Sequence, residues 1–271
     1  MLSPVTTNFL GRLRANDQAA WYELWETFGP VVQVQLTKWG KGRIGQETVR
    51  DLSQETLAAL SESIDRFDPK RGVRFSTWLL SIAKHVLGDE MDRRNAQKRG
   101  GNKSAASLEE GWMVASDEPA ADAQYEAAVF RAKVEAAIRI VSKESDFTDF
   151  ATFRMRVLEG QSGKDVAATL GTSEPTVSRR VARVRDVLRK RLRDVVSTYS
   201  FTEDETAEPD KAGLQLSSKR ESAGDAASAA LGETQADTAS DAQADAMFDQ
   251  AISEIYSLQA HLREEQAKRQ Q

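Results

Sequence analysis

From Asn8 to Leu36 the apolar positions recur at helical spacing. Phe9, Leu10 and Leu13 begin one face, Asn16-Asp17 supply a turn and a cap, and Trp21, Leu24, Trp25 and Phe28 form a second stripe. Gly29-Pro30 punctuates the pattern, and Val31, Val32, Val34 and Leu36 carry it into another helical segment. The run VVQVQL also alternates as a strand does, but both flanks are helical and helix is the preferred assignment. A glycine-rich basic loop (KWGKGRIG) leads to a helix predicted from Glu47 to Phe67, with Val49, Leu52, Thr56, Leu57, Leu60 and Ile64 on its buried face. Asp68-Pro69 and Arg71-Gly72 break that helix. The next is predicted to start at Ser76 as N-cap, with Leu79, Ile82, Ala83 and Val86 as its stripe.

Residues 100–124 are rich in Gly, Ala, Ser and acids and lack helical periodicity, so they read as a flexible linker in which Trp112 and Met113 offer a local anchor. Helix resumes at about Tyr125, with Val129, Val134, Ala137, Ile138 and Val141, and again from Asp149 to Leu158, with Phe150, Phe153, Met155 and Val157. Within residues 160–192, Ser162 caps a short helix bearing Val166, Ala167 and Leu170. Gly171 supplies the left-handed turn. Ser173 then caps a second helix with Pro175 in its first turn and Val177, Val181, Val184 and Leu188 as its inner stripe. That spacing is a helix-turn-helix. After Tyr199 large apolar residues become scarce, and from Thr202 to Asp245 eleven acids face three bases, which predicts disorder. The end is an amphipathic helix with Met247, Phe248, Ile252, Ile255, Leu258 and Leu262 on one face, suited to packing back on the body, self-association or a partner. The expected architecture is all-α: helical domains at 1–99 and 125–198, a linker at 100–124, a largely disordered acidic tail at 199–245 and a terminal helix at 246–271.

Composition changes this picture in three places. The chain of 271 residues has no run approaching the ~20 apolar residues of a membrane helix. Its beginning, MLSPVTTNFLGRLR, lacks the features of a signal peptide, so a cytoplasmic protein is expected. It has no cysteine, which excludes disulfides and thiolate metal sites, and two histidines, His85 and His261, which makes histidine-based catalysis improbable. No constellation of nucleophile, base and orienting group and no clustered carboxylates stand out, so an enzyme is not expected, nor a metal or cofactor. The formal net charge of −5 hides segregation: from Arg179 to Arg193 eight bases face the single acid Asp186.

Two further groups carry chemistry. Asp51, Gln54 and Glu55 project from the far side of their helix; such a group is commonly a solvated face, or else a docking surface for a basic groove. The stretch from Asp65 to Arg99 combines a cationic, aromatic loop with a helix whose outer face holds Lys84 and His85 and whose end holds Arg93, Arg94, Lys98 and Arg99. Cations for phosphates and rings for a base are what a nucleic-acid strand requires. The basic second helix of the helix-turn-helix suits a major groove.

Taken together, the DLSQET box from Asp51 to Thr56, the segment FDPKRGVRFSTWLLSIAKH from Phe67 to His85 and the helix-turn-helix resemble the bacterial RNA polymerase sigma factors, most closely the two-domain extracytoplasmic-function branch of the sigma-70 family. The resemblance spans roughly residues 8–198. It implies that Asp51, Leu52, Gln54 and Glu55 dock on the clamp helices of core polymerase. It implies that Arg71, Gly72, Val73, Arg74 and Phe75 capture a base flipped from the −10 element, and that Ser76, Trp78, Lys84 and His85 meet the melted strand. Glu174, Thr176, Val177, Arg179, Arg180 and Arg183 fall where the family reads the −35 element. Implied partners are core RNA polymerase, through clamp helices and flap, and promoter DNA, with an anti-sigma or other regulatory protein left open and no membrane. Where the family commonly has a leucine-proline-proline turn, this chain reads IRIVSKESDFTDFATF. The acidic tail suggests a shield over the basic recognition helix, in which case deleting residues 202–271 strengthens promoter binding. The rival reading is a helix-turn-helix regulator that never joins polymerase.

Overall fold

The computed structural model describes residues 3–98, 123–216 and 235–269. Every regular element among them is helical. Residues 100–122 of the expected linker, including Trp112 and Met113, and Arg99 lie outside the described residues, as do 217–234 of the acidic tail, while Ala123 and Gln124, expected to close the linker, are already helical. The chain divides into two compact units, the first of Met1–Ala132 with Tyr199–Thr202, the second of Lys133–Thr198 with Glu203–Gln271.

In the first unit, α1 (Pro4–Arg14) starts at Ser3, whose side chain accepts from the Thr6 N–H, with Pro4 in the first turn where a missing donor is harmless. Asn16 takes a positive φ of 57° and Asp17 caps α2 (Gln18–Gly40) by accepting from Ala19 and Ala20. The VVQVQL run is helical: Val31, Val32, Gln35 and Leu36 are buried while Val34 is exposed, the period of a helix and not of a strand. Gly29-Pro30 does not interrupt α2, contrary to expectation. The proline forfeits one backbone hydrogen bond, but Leu24, Phe28, Val31 and Val32 on either side are all buried, and packing holds the helix through the defect. Gly29 answers a close approach, since a Cβ there would lie 2.8 Å from the Trp25 ring.

Helix α3 (Gln46–Ser63) ends in a tight turn at Ile64–Arg66. A second turn, Pro69–Arg71, is closed by the Asp68 side chain accepting from Lys70 N–H and by Gly72 at φ 70°. Helix α4 (Phe75–Lys98) then packs with α2 and α3. Ser76 is not its N-cap: the helix begins one residue earlier, the Arg74 carbonyl accepts from Trp78 N–H, and the buried Ser76 Oγ has no hydrogen-bond partner. The core of this unit is an aromatic cluster. Phe75 lies 5.3 Å from Phe67, 6.2 Å from Phe28 and 5.4 Å from Phe201, and Tyr199 meets Phe9 and Phe28 edge-on at 5.1 Å. Tyr199 and Phe201, expected to begin a disordered tail, are thus core residues.

Helix α5 (Ala123–Glu144) belongs to the first unit up to Ala132, where Tyr125, Val129 and Phe130 are buried, and to the second beyond it. The second unit continues with α6 (Phe147–Phe153), a π-helical turn at Arg154–Leu158, α7 (Gly163–Thr169) and α8 (Glu174–Tyr199). Ser162 caps α7 through the Asp165 N–H, and Gly171 has φ 61°. Ser173 precedes α8, its Oγ 2.9 Å from Thr176 Oγ1. Val177, Val181, Val184 and Leu188 are buried, and the stripe runs on through Leu192, Val195 and Val196.

The acidic segment is more structured than its composition suggests. Glu203–Thr206 (α9) and Glu208–Lys211 (α10) are short helices, Leu214 is fully buried, and α11 (Gln235–Arg269) begins eleven residues before the expected position 246. The unexpected anchor is electrostatic: the fully buried Lys133 ammonium lies 3.1 Å from Glu208 Oε2 and 3.9 Å from Glu205 Oε1. Of the uses open to the last helix, packing back on its own unit is the one seen. Phe248 and Ile252 are fully buried, and α11 lies against the Arg154–Leu158 turn.

Candidate nucleic-acid interface

In the first unit, α3 presents Asp51, Gln54 and Glu55 to solvent, while Leu52 is buried in the core and supports them from behind. Their spacing puts i, i+3 and i+4 on one face. The result is a compact patch of two carboxylates and an amide on a rigid helix.

The loop before α4 divides into an outer and an inner part. Arg71 and Gly72 are exposed, Val73 and Arg74 half-buried, and Phe75 and Ser76 buried. Phe75 is the hub of the aromatic cluster and is therefore not available to stack on a base without unmaking the core. Trp78 is half-buried and stacks on Phe67 at 5.0 Å, with 29° between the rings. One and two turns on, Ser81 and His85 follow Trp78 on the same face, and Lys84 lies beside His85; His85 and Lys84 are exposed. Arg74 donates to Glu126 at 2.5 Å, Thr77 Oγ1 lies 3.5 Å from the same carboxylate, and the Tyr125 hydroxyl donates to the Ser76 carbonyl at 2.8 Å. Burial, with a smaller push from Glu126, raises the Tyr125 phenol far above its ordinary pKa, so it stays a neutral donor. The first turn of α5 therefore grips the start of α4 through Arg74 and Ser76. No local spacing announces Tyr125 and Glu126 as partners, because they lie 49 and 52 residues away.

The basic end of α4 is less cationic than its sequence. Glu90 accepts from both Arg93 and Arg94, and Arg94 also donates to the Arg43 carbonyl at 3.2 Å and to Thr48 Oγ1 at 2.9 Å. Burial pushes the Glu90 carboxyl up, but the hydrogen bonds from Arg94 and Arg93 outweigh it and hold the group below its usual range. Arg94 is a brace between α3 and α4 rather than a phosphate ligand.

In the second unit α8 exposes Glu174, Arg179 and Arg183, half-buries Thr176 and Arg180, and buries Val177. Arg179 folds back, Nε 3.3 Å from the Pro175 carbonyl and Nη2 3.4 Å from Thr176 Oγ1. Arg180 and Arg183 share Asp149 of α6. The flank of the helix is different: Arg185 binds Asp245 and Asp249 at 2.6 Å each, and Arg189 binds Asp245 at 2.7 Å and lies 4.6 Å over the Phe248 ring. Burial lowers the Arg185 pKa, but the Asp249 hydrogen bond together with the charges of Asp249, Asp245 and Asp186 outweighs it and holds the pKa above its ordinary value. The acids of α11 thus engage Arg185 and Arg189, whereas Arg179 and Arg183 remain exposed. Among the described residues, the acids of α11 meet the flank of the basic helix and not Arg179 or Arg183. Among the described residues no three His, Asp or Glu side chains stand together as a metal site, and no helix is long and apolar enough to cross a membrane.

Residues 33–97 match the model of Sigma-70 region 2, a span that holds both the acidic patch of α3 and the loop before α4. The chain is 30% identical over 143 residues to RNA polymerase sigma factor CnrH of Cupriavidus metallidurans, covering 52% of this chain and 72% of that protein. It is 32% identical over 138 residues to a probable RNA polymerase sigma-C factor of Mycobacterium bovis, and equally to ECF RNA polymerase sigma factor SigC of Mycobacterium tuberculosis. In both mycobacterial cases the match covers 51% of this chain and 66% of the relative.

Proposed function

Because the chain belongs to the sigma-70 family of RNA polymerase sigma factors, in its extracytoplasmic-function branch, we propose that its two units divide promoter recognition between melted and duplex DNA. The protein is a non-catalytic factor for transcription initiation, and it works where polymerase does, in the cytoplasm. The first unit docks on the clamp helices of core polymerase through Asp51, Gln54 and Glu55, whose charges suit a basic groove. Leu52 fixes that patch from beneath.

The loop from Arg71 to Arg74 and the adjoining Trp78 receive the melted −10 strand, with Lys84 and His85 following it along α4. Unstacking a base costs a few kcal/mol, which a pocket for the extruded nucleotide offsets. Phe75 and Ser76 shape this surface from inside the core. Arg74 must exchange Glu126 for a phosphate when the strand arrives, so the loop is held in reserve until DNA competes for it. The second unit sets α8 in the major groove at the −35 element, where Glu174, Thr176, Arg179, Arg180 and Arg183 face the bases and backbone and Val177 anchors the helix to its core. The linker joins the two, and the flap of polymerase receives the second unit. A regulatory protein that covers the acidic patch would silence the factor.

The observation that most supports this reading is the exposed Asp51–Gln54–Glu55 patch inside the matched segment, since a regulator acting alone has no use for it. Charge reversal tests it: Asp51→Lys with Glu55→Lys should weaken binding to purified core polymerase at least tenfold while duplex binding is retained. Both residues are exposed, so folding should survive. Unchanged core affinity contradicts the docking role and favours a regulator that acts without polymerase.

A further inference from the structure

Asp149 has no role in the reading above, yet it sits where that reading is most specific. It is the third residue of α6, and its side chain is only 9% exposed. Its Oδ2 lies 2.5 Å from Arg183 Nη1 and its Oδ1 lies 3.4 Å from Arg180 Nε. The Arg183 side chain is nevertheless 68% exposed and that of Arg180 26%. One buried carboxylate thus holds two arginines of α8 by one nitrogen each, while the Arg183 side chain stays largely exposed and that of Arg180 partly so.

Two consequences follow from elementary electrostatics. An unrestrained arginine has many rotamers and finds phosphate oxygens readily, and such contacts carry no sequence information. A guanidinium anchored at one nitrogen presents the rest of its planar fork in a set direction, which a bidentate contact to a guanine edge requires. The carboxylate also cancels one of the two positive charges, weakening the pull of the backbone that sequence-independent binding depends on. The same residue therefore restrains direction and reduces general attraction.

We propose that Asp149 is a positioning residue for duplex readout: it aims Arg180 and Arg183 at base edges and trades general affinity for sequence discrimination. The inference rests on α8 being the −35 reader. A purely structural ion pair would look similar in the structure but behave differently in solution.

The test uses the full chain. Duplexes are first selected by the unaltered protein from a random-sequence pool, and affinity for the selected duplex and a shuffled one is then measured across a salt series for Asp149→Asn and Asp149→Glu, alongside thermal melting. Asp149→Asn should lower the selected-to-shuffled affinity ratio about tenfold, tighten binding to the shuffled duplex and steepen the salt dependence by up to about one phosphate equivalent, and Asp149→Glu should recover much of the ratio. An unchanged ratio, whatever the melting temperature, overturns the proposal. Should Asp149→Asn fail to fold, Arg183→Lys keeps the question decidable. Lysine can still pair with Asp149 but cannot present a fork, so the motif it selects should lose information at one or two positions, and an unaltered motif overturns the proposal. Failure of the unaltered protein to select any sequence would remove the −35 reading itself, and the inference with it; selection that is indifferent to Asp149 would remove the inference alone.

Discussion

Replacing Phe248 by alanine separates a shielding tail from a structural one. Phe248 is fully buried in the second unit, with the Arg189 guanidinium 4.6 Å above its ring. Truncating a buried phenylalanine costs about 3–5 kcal/mol. Exposing the site also weakens the hold on Arg189, whose side chain is 7% exposed and which binds Asp245 of the same helix. Against a typical domain stability of about 5–15 kcal/mol, that loss removes a large share. With a urea m-value of about 1–3 kcal/mol/M, the midpoint should fall by about 1 M or more. The described tryptophans, Trp21, Trp25, Trp39 and Trp78, all lie in the first unit and no tryptophan follows position 112, so fluorescence carries no signal from the second unit, whereas far-UV circular dichroism follows helices of both. The dichroism midpoint should therefore fall while the fluorescence midpoint holds. An unchanged dichroism midpoint, together with tighter duplex binding, would refute the packing argument and restore α11 as a removable shield.

Two other perturbations probe buried charge. Lys133→Met removes the buried cation between Glu208 and Glu205 and should cost about 3–5 kcal/mol by urea denaturation followed by circular dichroism, whereas adding Glu208→Gln should recover part of the loss; equal losses in single and double variants would show that the pair does not interact. Glu90 gives a pH dependence: its carboxyl is depressed in the folded state, so its contribution is present above the ordinary value near 4.5 and is lost as pH falls through the lower, folded value. The gap in tryptophan-detected stability between the unaltered protein and Glu90→Gln should be full at pH 7 and shrink below about pH 4.5; a gap of the same size at pH 3 contradicts the assignment.

Much of this fold is legible along the chain because local rules and packing agree. Caps at Asp17 and Ser162, the left-handed Gly171 and the apolar periods of α3, α7 and α8 all point the same way. The failures share one cause, interactions distant in sequence. Pro30 breaks helices locally, yet tertiary burial of Phe28 and Val31 overrides it. Residues 202–216 have the composition of a disordered tail because their anchors are few: Leu214 and the Glu205 and Glu208 carboxylates, which meet a lysine about 70 residues earlier. Ser76 has the right chemistry for a cap but is drawn inside by its neighbour Phe75, whose ring the core requires. The candidate site shows the same division. Exposed Asp51, Gln54, Glu55, Lys84 and His85 follow from helical spacing and Arg71 from its place in a turn, whereas the carboxylates that restrain the arginines, Glu126 on Arg74 and Asp149 on Arg180 and Arg183, carry no local signal.

The central claim is that this chain gives polymerase its promoter. Purified core enzyme loaded with the full-length protein and supplied with fragmented genomic DNA should start RNA at discrete positions, and sequencing the 5′ ends should reveal two shared blocks upstream at near-constant spacing, one in the melted region and one in intact duplex. Core enzyme that starts no additional RNA in the presence of the protein, even while the protein binds duplex DNA, would contradict it.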